Sequence, residues 1–421
     1  MLTAPHRRNK RWLWLAWPGL LLGALGWLGC WYIRVEGHLT AAEAAARRHD
    51  DEEARQHLEA YLATWPNSAR ARLLAARTAR RLHRYEEAEE HLRIYRQAGG
   101  DAASITLERM LAALQRGEAE MEPVLRARAE GGDEQALTIL EVLIQFYLDT
   151  YRLHQALECL NQYLAQRPND LHALLGRAFV WERFFYLADA LQDYRRAVQH
   201  HPDSDAARLR LGRALLTAGT PQEALVQFQH LQDRHPDRLA VGLGLAQSRR
   251  QLGQNDEARR LLDALLGERE EADLLTERGQ LALDEGELDR AETWLRRAVR
   301  LAPHDRQANY ALYRCLLRQG RKEADEWRTR VARIDANLRR LDQLTRAVLK
   351  APNDASLRCQ VGLLFLENGE EREGVRWLTQ ALRLDPHCEA ARRALADYAR
   401  QGQRSGVRSQ ESGVRGQERD R

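Results

Sequence analysis

Cysteine is scarce, five in 421 residues with no Cys-x-x-Cys pair, which excludes a disulfide-dense mini-fold and a zinc ribbon. Charge of one dominant sign is missing too, with 65 Lys+Arg against 61 Asp+Glu. The first 33 residues carry four cations and no acid, and the last 21 carry five Arg against three acids, so residues 34–400 hold −2 of a total of +4. A body so close to neutral lacks the electrostatic footprint of a dedicated nucleic-acid binder. Long hydrophobic runs are confined to a single stretch, and the mean hydropathy of −0.61 excludes a multi-pass membrane protein. The 44% apolar content in turn excludes a wholly disordered chain.

The one apolar stretch is informative. From Trp12 to Ile33 no residue is charged over 22 positions, about 33 Å as a helix and enough to cross a bilayer core. Trp12, Trp14 and Trp17 stand at one end and Trp27, Trp31 and Tyr32 at the other, two belts suited to the headgroup level. The basic segment 1–11, with Arg7, Arg8, Lys10 and Arg11, favours a cytoplasmic N-terminus and places the remainder on the non-cytoplasmic, periplasmic side. A cleaved signal peptide would have a shorter apolar stretch and a small-residue site, whereas this one ends in Trp31-Tyr32-Ile33. The expectation is a single-pass anchor over 12–33.

Beyond residue 35 the prolines keep a period. Pro66 to Pro168 spans 102 residues, three times 34; Pro168 to Pro202, Pro202 to Pro236 and Pro352 to Pro386 each span 34. Small residues follow ten positions after the proline (Ala76, Ala178, Gly212, Ala246, Gly362), and glycine follows at seventeen (Gly219, Gly253, Gly320, Gly369). Alanine comes at twenty-two (Ala88, Ala190, Ala224, Ala258) and a large residue at twenty-six (Leu92, Tyr194, Phe228, Leu262, Leu378). Paired helices approach closely only where facing residues are small, so the small positions are read as meeting Ala across a hairpin. The large residue then fills the space between neighbouring units. The glycine ends the first helix, and the proline separates the second helix from the next repeat.

A 34-residue clock with these residues resembles the tetratricopeptide repeat family. The best-matched stretches are Ala206–Pro236 and Asp273–Pro303, and the resemblance runs over nearly all of 35–400. It implies an all-α, right-handed α-solenoid of about ten helix hairpins, followed by a closing helix near Glu389–Tyr398. Three features depart from the pattern. The turn glycine is replaced by His83, Tyr151 and Phe185. Pro303 to Pro352 spans 49 residues, so a lengthened helix is expected around 321–350, with Trp327, Val331, Ile334, Leu338, Leu341, Thr345 and Val348 at 4-3 spacing. That extra length either packs on its own repeat, the favoured reading, or forms a dimer contact. Pro123 and Gly131-Gly132 mark an irregular unit. The Gln-, Ser-, Gly- and Arg-rich segment 401–421 lacks apolar periodicity and is expected to be disordered.

Catalytic and cofactor signatures are missing: no His-Glu-x-x-His, Gly-x-Ser-x-Gly, phosphate-binding glycine loop or dinucleotide fingerprint occurs. His154 and Glu158 share a helix face, yet a metal site needs a third ligand. Cys159, Cys315 and Cys359 read as buried small hydrophobes. No enzyme activity, metal or cofactor is expected.

The resemblance implies a concave groove lined by first helices. Its expected protein-binding positions are Arg77, Arg80, Arg213, Gln247, Arg250 and Arg314, with Phe184 and Phe185 at a hairpin turn as a second candidate. Recurrent Arg in a slightly acidic body points to acidic or carboxylate-bearing peptide segments. The resulting expectation is a membrane-anchored scaffold that binds other proteins during assembly of an envelope or secretion complex. The alternatives are helical-repeat RNA binding, disfavoured by the neutral body, and an accessory subunit of an enzyme complex.

Overall fold

A computed structural model describes residues 31–132, 135–236 and 238–400. The basic segment 1–11, the tail 401–421 and all but the last three residues of the expected membrane helix lie outside them. Among the described residues, no helix is long and apolar enough to cross a membrane.

These residues fold into helical hairpins without a strand among them. Helix α1 (31–47) pairs with α2 (Asp51–Thr64), α3 (Ala69–Arg81) with α4 (Tyr85–Gln97), and α5 (Ala102–Arg116) with the short α6 (Glu122–Glu130). There follow α7 (Ala136–Asp149) and α8 (Leu153–Gln166), α9 (Leu171–Arg183) and α10 (Leu187–His200), and α11 (Asp205–Thr217) and α12 (Pro221–Arg234). The series continues with α13 (Leu239–Gln251) and α14 (Asn255–Glu268), α15 (Ala272–Asp284) and α16 (Leu288–Leu301), and α17 (Arg306–Arg318) and α18 (Ala324–Lys350). It ends with α19 (Ala355–Glu367) and α20 (Glu371–Leu384), then α21 (389–400). Two compact units are present, Met1–Val142 and Leu143–Arg421.

The proline sets the boundary on both of its sides. The residue before it leaves helical geometry, as at Trp65, Arg167, His201, Ala302 and Ala351, because the proline ring crowds the preceding backbone. Two positions after it, Ser68, Asp170, Ser204, Asp305 and Asp354 cap the next helix through a side-chain oxygen that accepts from an amide three residues on. Each such cap contributes about 1 kcal/mol.

Packing within a hairpin adds one contact to the sequence expectation. The small residue ten after the proline meets the large residue at twenty-six, and at Gly362 also the backbone at twenty-two, where a Cβ would stand 3.0 Å from the Gly374 oxygen. A Cβ on Gly212 would stand 2.7 Å from Phe228 Cζ, and one on Gly362 would stand 2.7 Å from Leu378 Cγ. Gly244 of the following repeat presses on the same Phe228 ring. One aromatic ring therefore closes both its own hairpin and the joint to the next. Phe228 is fully buried, which stabilises by about 2–3 kcal/mol.

The turn between first and second helix needs a left-handed residue. Glycine supplies it at Gly219, Gly253, Gly286, Gly320 and Gly369, with φ between +66° and +80°. At His83, Tyr151 and Phe185 the chain takes the same conformation, at φ 58°, 55° and 62°, where a side chain costs about 1–2 kcal/mol.

Candidate functional site

In the unit Leu143–Arg421, two of those strained residues line one open cavity of about 880 Å³. One wall comes from the end of α9 and the turn into α10: Trp181, Phe184, Phe185 and Tyr186. Their rings form a chain, with Trp181 6.4 Å from Phe184 and 5.8 Å from Tyr186 between centroids, and His154 of α8 4.9 Å from Phe184. Phe185 is 72% exposed and Tyr186 57%, so neither ring serves a core. The opposite wall is the C-terminal half of α18, through Leu338, Leu341, Thr345, Arg346 and Leu349. The floor carries Phe365 of α19 and Trp377 of α20.

The lengthened helix thereby divides its work. Val331, Ile334 and Val348 are buried, and Trp327 packs against the core of its own repeat. Leu338 and Leu341 instead face the cavity. The 27 residues of α18 are not accounted for by an insertion folded wholly onto its own repeat.

The walls are joined by contacts between residues more than 200 positions apart. The carbonyls of Asp149 and Thr150 end α7, where helical oxygens lack intrahelical partners. Gln380 Nε2 donates to the Asp149 oxygen, and Arg358 Nη2 donates to the Thr150 oxygen. Arg358 also donates to the Gln380 side chain at 2.6 Å and through Nε to the Pro352 oxygen at 2.8 Å. A cation at a helix C-terminus gains from the macrodipole. Tyr151 packs on Trp377 at 4.9 Å, and burial raises the Tyr151 phenol above its ordinary pKa. Burial, with Arg152 nearby, pushes Arg358 down to about 10.

The rim mixes charges. Arg346 sits 5.6 Å over the Phe185 ring and pairs with Asp342, and Arg376 pairs with Glu373. Glu370 forms no ion pair among the described residues; burial, reinforced by Glu373, raises its pKa. The cleft offers aromatic faces with both signs of charge at its edge, suited to an apolar segment with polar flanks.

Of the other positions expected in a groove, several are already engaged. In the unit Met1–Val142, Arg80 is 1% exposed and donates to Glu108 and Gln115. Arg77 shares the same Glu108 at 2.8 Å and also reaches Gln135. In the second unit Arg250 is held by Glu277, Gln280 and Asp284 of α15. These three Arg brace first helices of successive repeats. Gln247 is half-buried, while Arg213 and Arg314 are exposed and form no ion pair among the described residues. Only Phe184 and Phe185 are brought together in a cavity. Sequence reading did not find Arg346, Trp377, Arg358 or Gln380; the one available signal was the excess length between Pro303 and Pro352.

A family model for the tetratricopeptide repeat matches residues 39–103, 187–238 and 243–306. No curated protein matches the sequence. Among solved structures, a tetratricopeptide repeat protein from Parabacteroides merdae ATCC 43184 is 19% identical with a TM-score of 0.35, covering 67% of this chain and 98% of its own. A thermophilic repeat protein of the same kind from Thermus thermophilus is 22% identical with a TM-score of 0.35, covering 42% and 97%. Human IFIT1, as a dimer with PPP-AAAA, is 16% identical with a TM-score of 0.36, covering 83% and 90%.

Proposed function

Starting from a chain that carries tetratricopeptide repeats, we propose that it is a scaffold holding a segment of another protein in the cleft between the α9–α10 turn and α18–α20. Such repeats generally mediate contacts between proteins. The observation that carries the reading is Phe185, a bulky ring kept in a strained backbone conformation and 72% exposed at the cavity lip. Glycine fills the equivalent turn in the repeats that follow, so the turn itself does not require the ring, and its contact with Arg346 is a small return for the strain. Exposed aromatics beside a buried aromatic floor make an interface hot spot. Arg213 and Arg314 lie on first helices outside this cleft, exposed and without an ion pair among the described residues, and the reading keeps a preference for acidic segments as its own further part.

The proposal includes a single-pass anchor over 12–33, with the repeats on the periplasmic side and a role in assembling an envelope or secretion complex. The test is affinity capture from detergent-solubilised membranes with the full chain, followed by identification of the retained proteins. Phe185→Ala and Phe184→Ala should each lower the yield of the same specific protein at least tenfold. Equal yield from both variants removes the cleft from the reading. A yield that collapses with salt and with ribonuclease would turn it towards RNA.

A further inference from the structure

In the unit Met1–Val142, one end of the first hairpin carries an apolar corner that the repeat does not require. Helix α1 starts with Trp31, Tyr32 and Ile33, all exposed, and α2 ends at Trp65, which is 40% exposed. The rings of Trp31 and Trp65 meet with centroids 6.3 Å apart and planes at 54°. Further along the same helices, Val35, Leu39, Leu58, Tyr61 and Leu62 close the core between them. The four outer residues stay largely in water.

Trp65 is the departure from the repeat. It stands immediately before Pro66, and the residues before the later repeat prolines are Arg167, His201, His235, Ala302, Ala351 and Asp385. All of these are polar or small. The boundary needs only a residue that leaves helical geometry, and a large ring left partly in water gains little from folding. Charge at this corner is one-sided. No acidic residue precedes Glu36 and none lies between Glu59 and Glu86, whereas Arg34 and Arg70 are exposed. Glu36 accepts from the Tyr61 hydroxyl at 3.3 Å, and Glu43 pairs with Arg70 at 2.6 Å.

We propose that this corner seats the first repeat in the headgroup layer of a bilayer, with Trp31 and Trp65 as its interfacial rings. The inference rests on the single-pass anchor over 12–33. That uncharged stretch runs directly into the start of α1, so a span there puts Trp31 at the bilayer edge. A headgroup layer is about 5–8 Å thick on each side, comparable with the distance between the two rings, so Trp65 falls within it or at its outer border. Amphipathic rings favour that level, and a surface of anionic lipid meets no acid there while attracting the exposed guanidiniums. An anchor alone would leave the repeats on a tether; the corner holds the first hairpin against the surface.

The experiment places a nitrobenzoxadiazole fluorophore on the full chain at Asn67→Cys, in the exposed loop beside Trp65, with Cys30→Ser and Cys388→Ser to leave one reactive thiol. The control carries the label at Asp203→Cys, the equivalent exposed position after Pro202. Both chains are reconstituted into vesicles of phosphatidylcholine and phosphatidylglycerol containing a phosphatidylcholine with a nitroxide near its headgroup. Quenching at position 67 should exceed that at 203 at least threefold, and Trp65→Ser should reduce it at least twofold without releasing the chain from vesicles in flotation. The comparison of 67 with 203 alters neither tryptophan, so it decides alone if circular dichroism shows that Trp65→Ser unfolds. A chain that floats with the vesicles but is quenched equally at 67 and 203 overturns the docking and leaves the anchor standing. A chain that does not float removes the anchor and this inference with it. An emission shift at 67 that appears in detergent and grows with protein concentration assigns the corner to a second copy of the chain, and overturns the proposal too.

Discussion

Phe185 and Gly219 stand seventeen residues after their respective prolines and share one backbone conformation, yet only the second adopts it without strain. The aromatic ring gains little from folding, since most of its surface stays in water and its main contact is Arg346 at 5.6 Å. Phe185→Gly should therefore raise stability by about 0.5–1 kcal/mol, seen as a higher urea midpoint, while lowering partner capture. A variant that is both less stable and fully competent in capture would contradict this account. Tyr151 makes a contrasting case. It bears the same strain but is buried against Trp377, so removing its ring costs packing as well as relieving the turn. Sequence comparison between repeats exposed both substitutions as departures from the clock. Only the structure separated the exposed ring from the buried one.

At the scale of elements, α18 and the end of α7 give the chain a feature that repeat stacking alone does not supply. In an ideal solenoid each hairpin contacts only its neighbours. Here Arg358 and Gln380, from α19 and α20, satisfy the terminal carbonyls of α7. Arg358→Ala strands the Thr150 oxygen and leaves the Gln380 side chain without its guanidinium partner. Leaving buried polar groups unpaired costs about 2–4 kcal/mol in total. Urea unfolding should show that loss, and hydrogen exchange should quicken at the start of α8 as well as in α19. Exchange that changes in α19 alone would mean the clasp does not couple the two ends. Elsewhere the sequence anticipated the elements closely, because proline and the cap two residues beyond it are local instructions. That the small position also meets the large residue at twenty-six, Phe228 or Leu378, was not legible, since periodicity reports spacing but not which of two facing residues is nearer.

For the whole molecule, the untested expectation is the membrane anchor. The uncharged stretch Trp12–Ile33 should hold the full chain in the membrane fraction through alkaline carbonate extraction, and the repeats should be digested by protease added from the periplasmic side. Release by carbonate, or protection of the repeats in intact spheroplasts, contradicts the anchor or its orientation respectively. The candidate site was legible only in part. Phe184 and Phe185 stood out as aromatics at a turn, whereas Arg77, Arg80 and Arg250 were indistinguishable by spacing from exposed groove residues. Their partners, Glu108 and Glu277, lie 27 to 31 residues away on the next first helix, and a repeat period gives no sign of which charges will pair.

The sequence by itself determined the hairpins, their caps and turns, and the small positions at which paired helices approach. Each of these is settled within one repeat or between neighbours, where a 34-residue period is visible. Tertiary structure decided which guanidiniums became braces, which aromatic stayed in water, and that α7 would meet α19 and α20. The braces form between neighbouring hairpins and depend on which charges face each other there; the meeting of α7 with α19 and α20 depends on small rotations between successive hairpins, summed over some 200 residues, and no single window of sequence contains that sum.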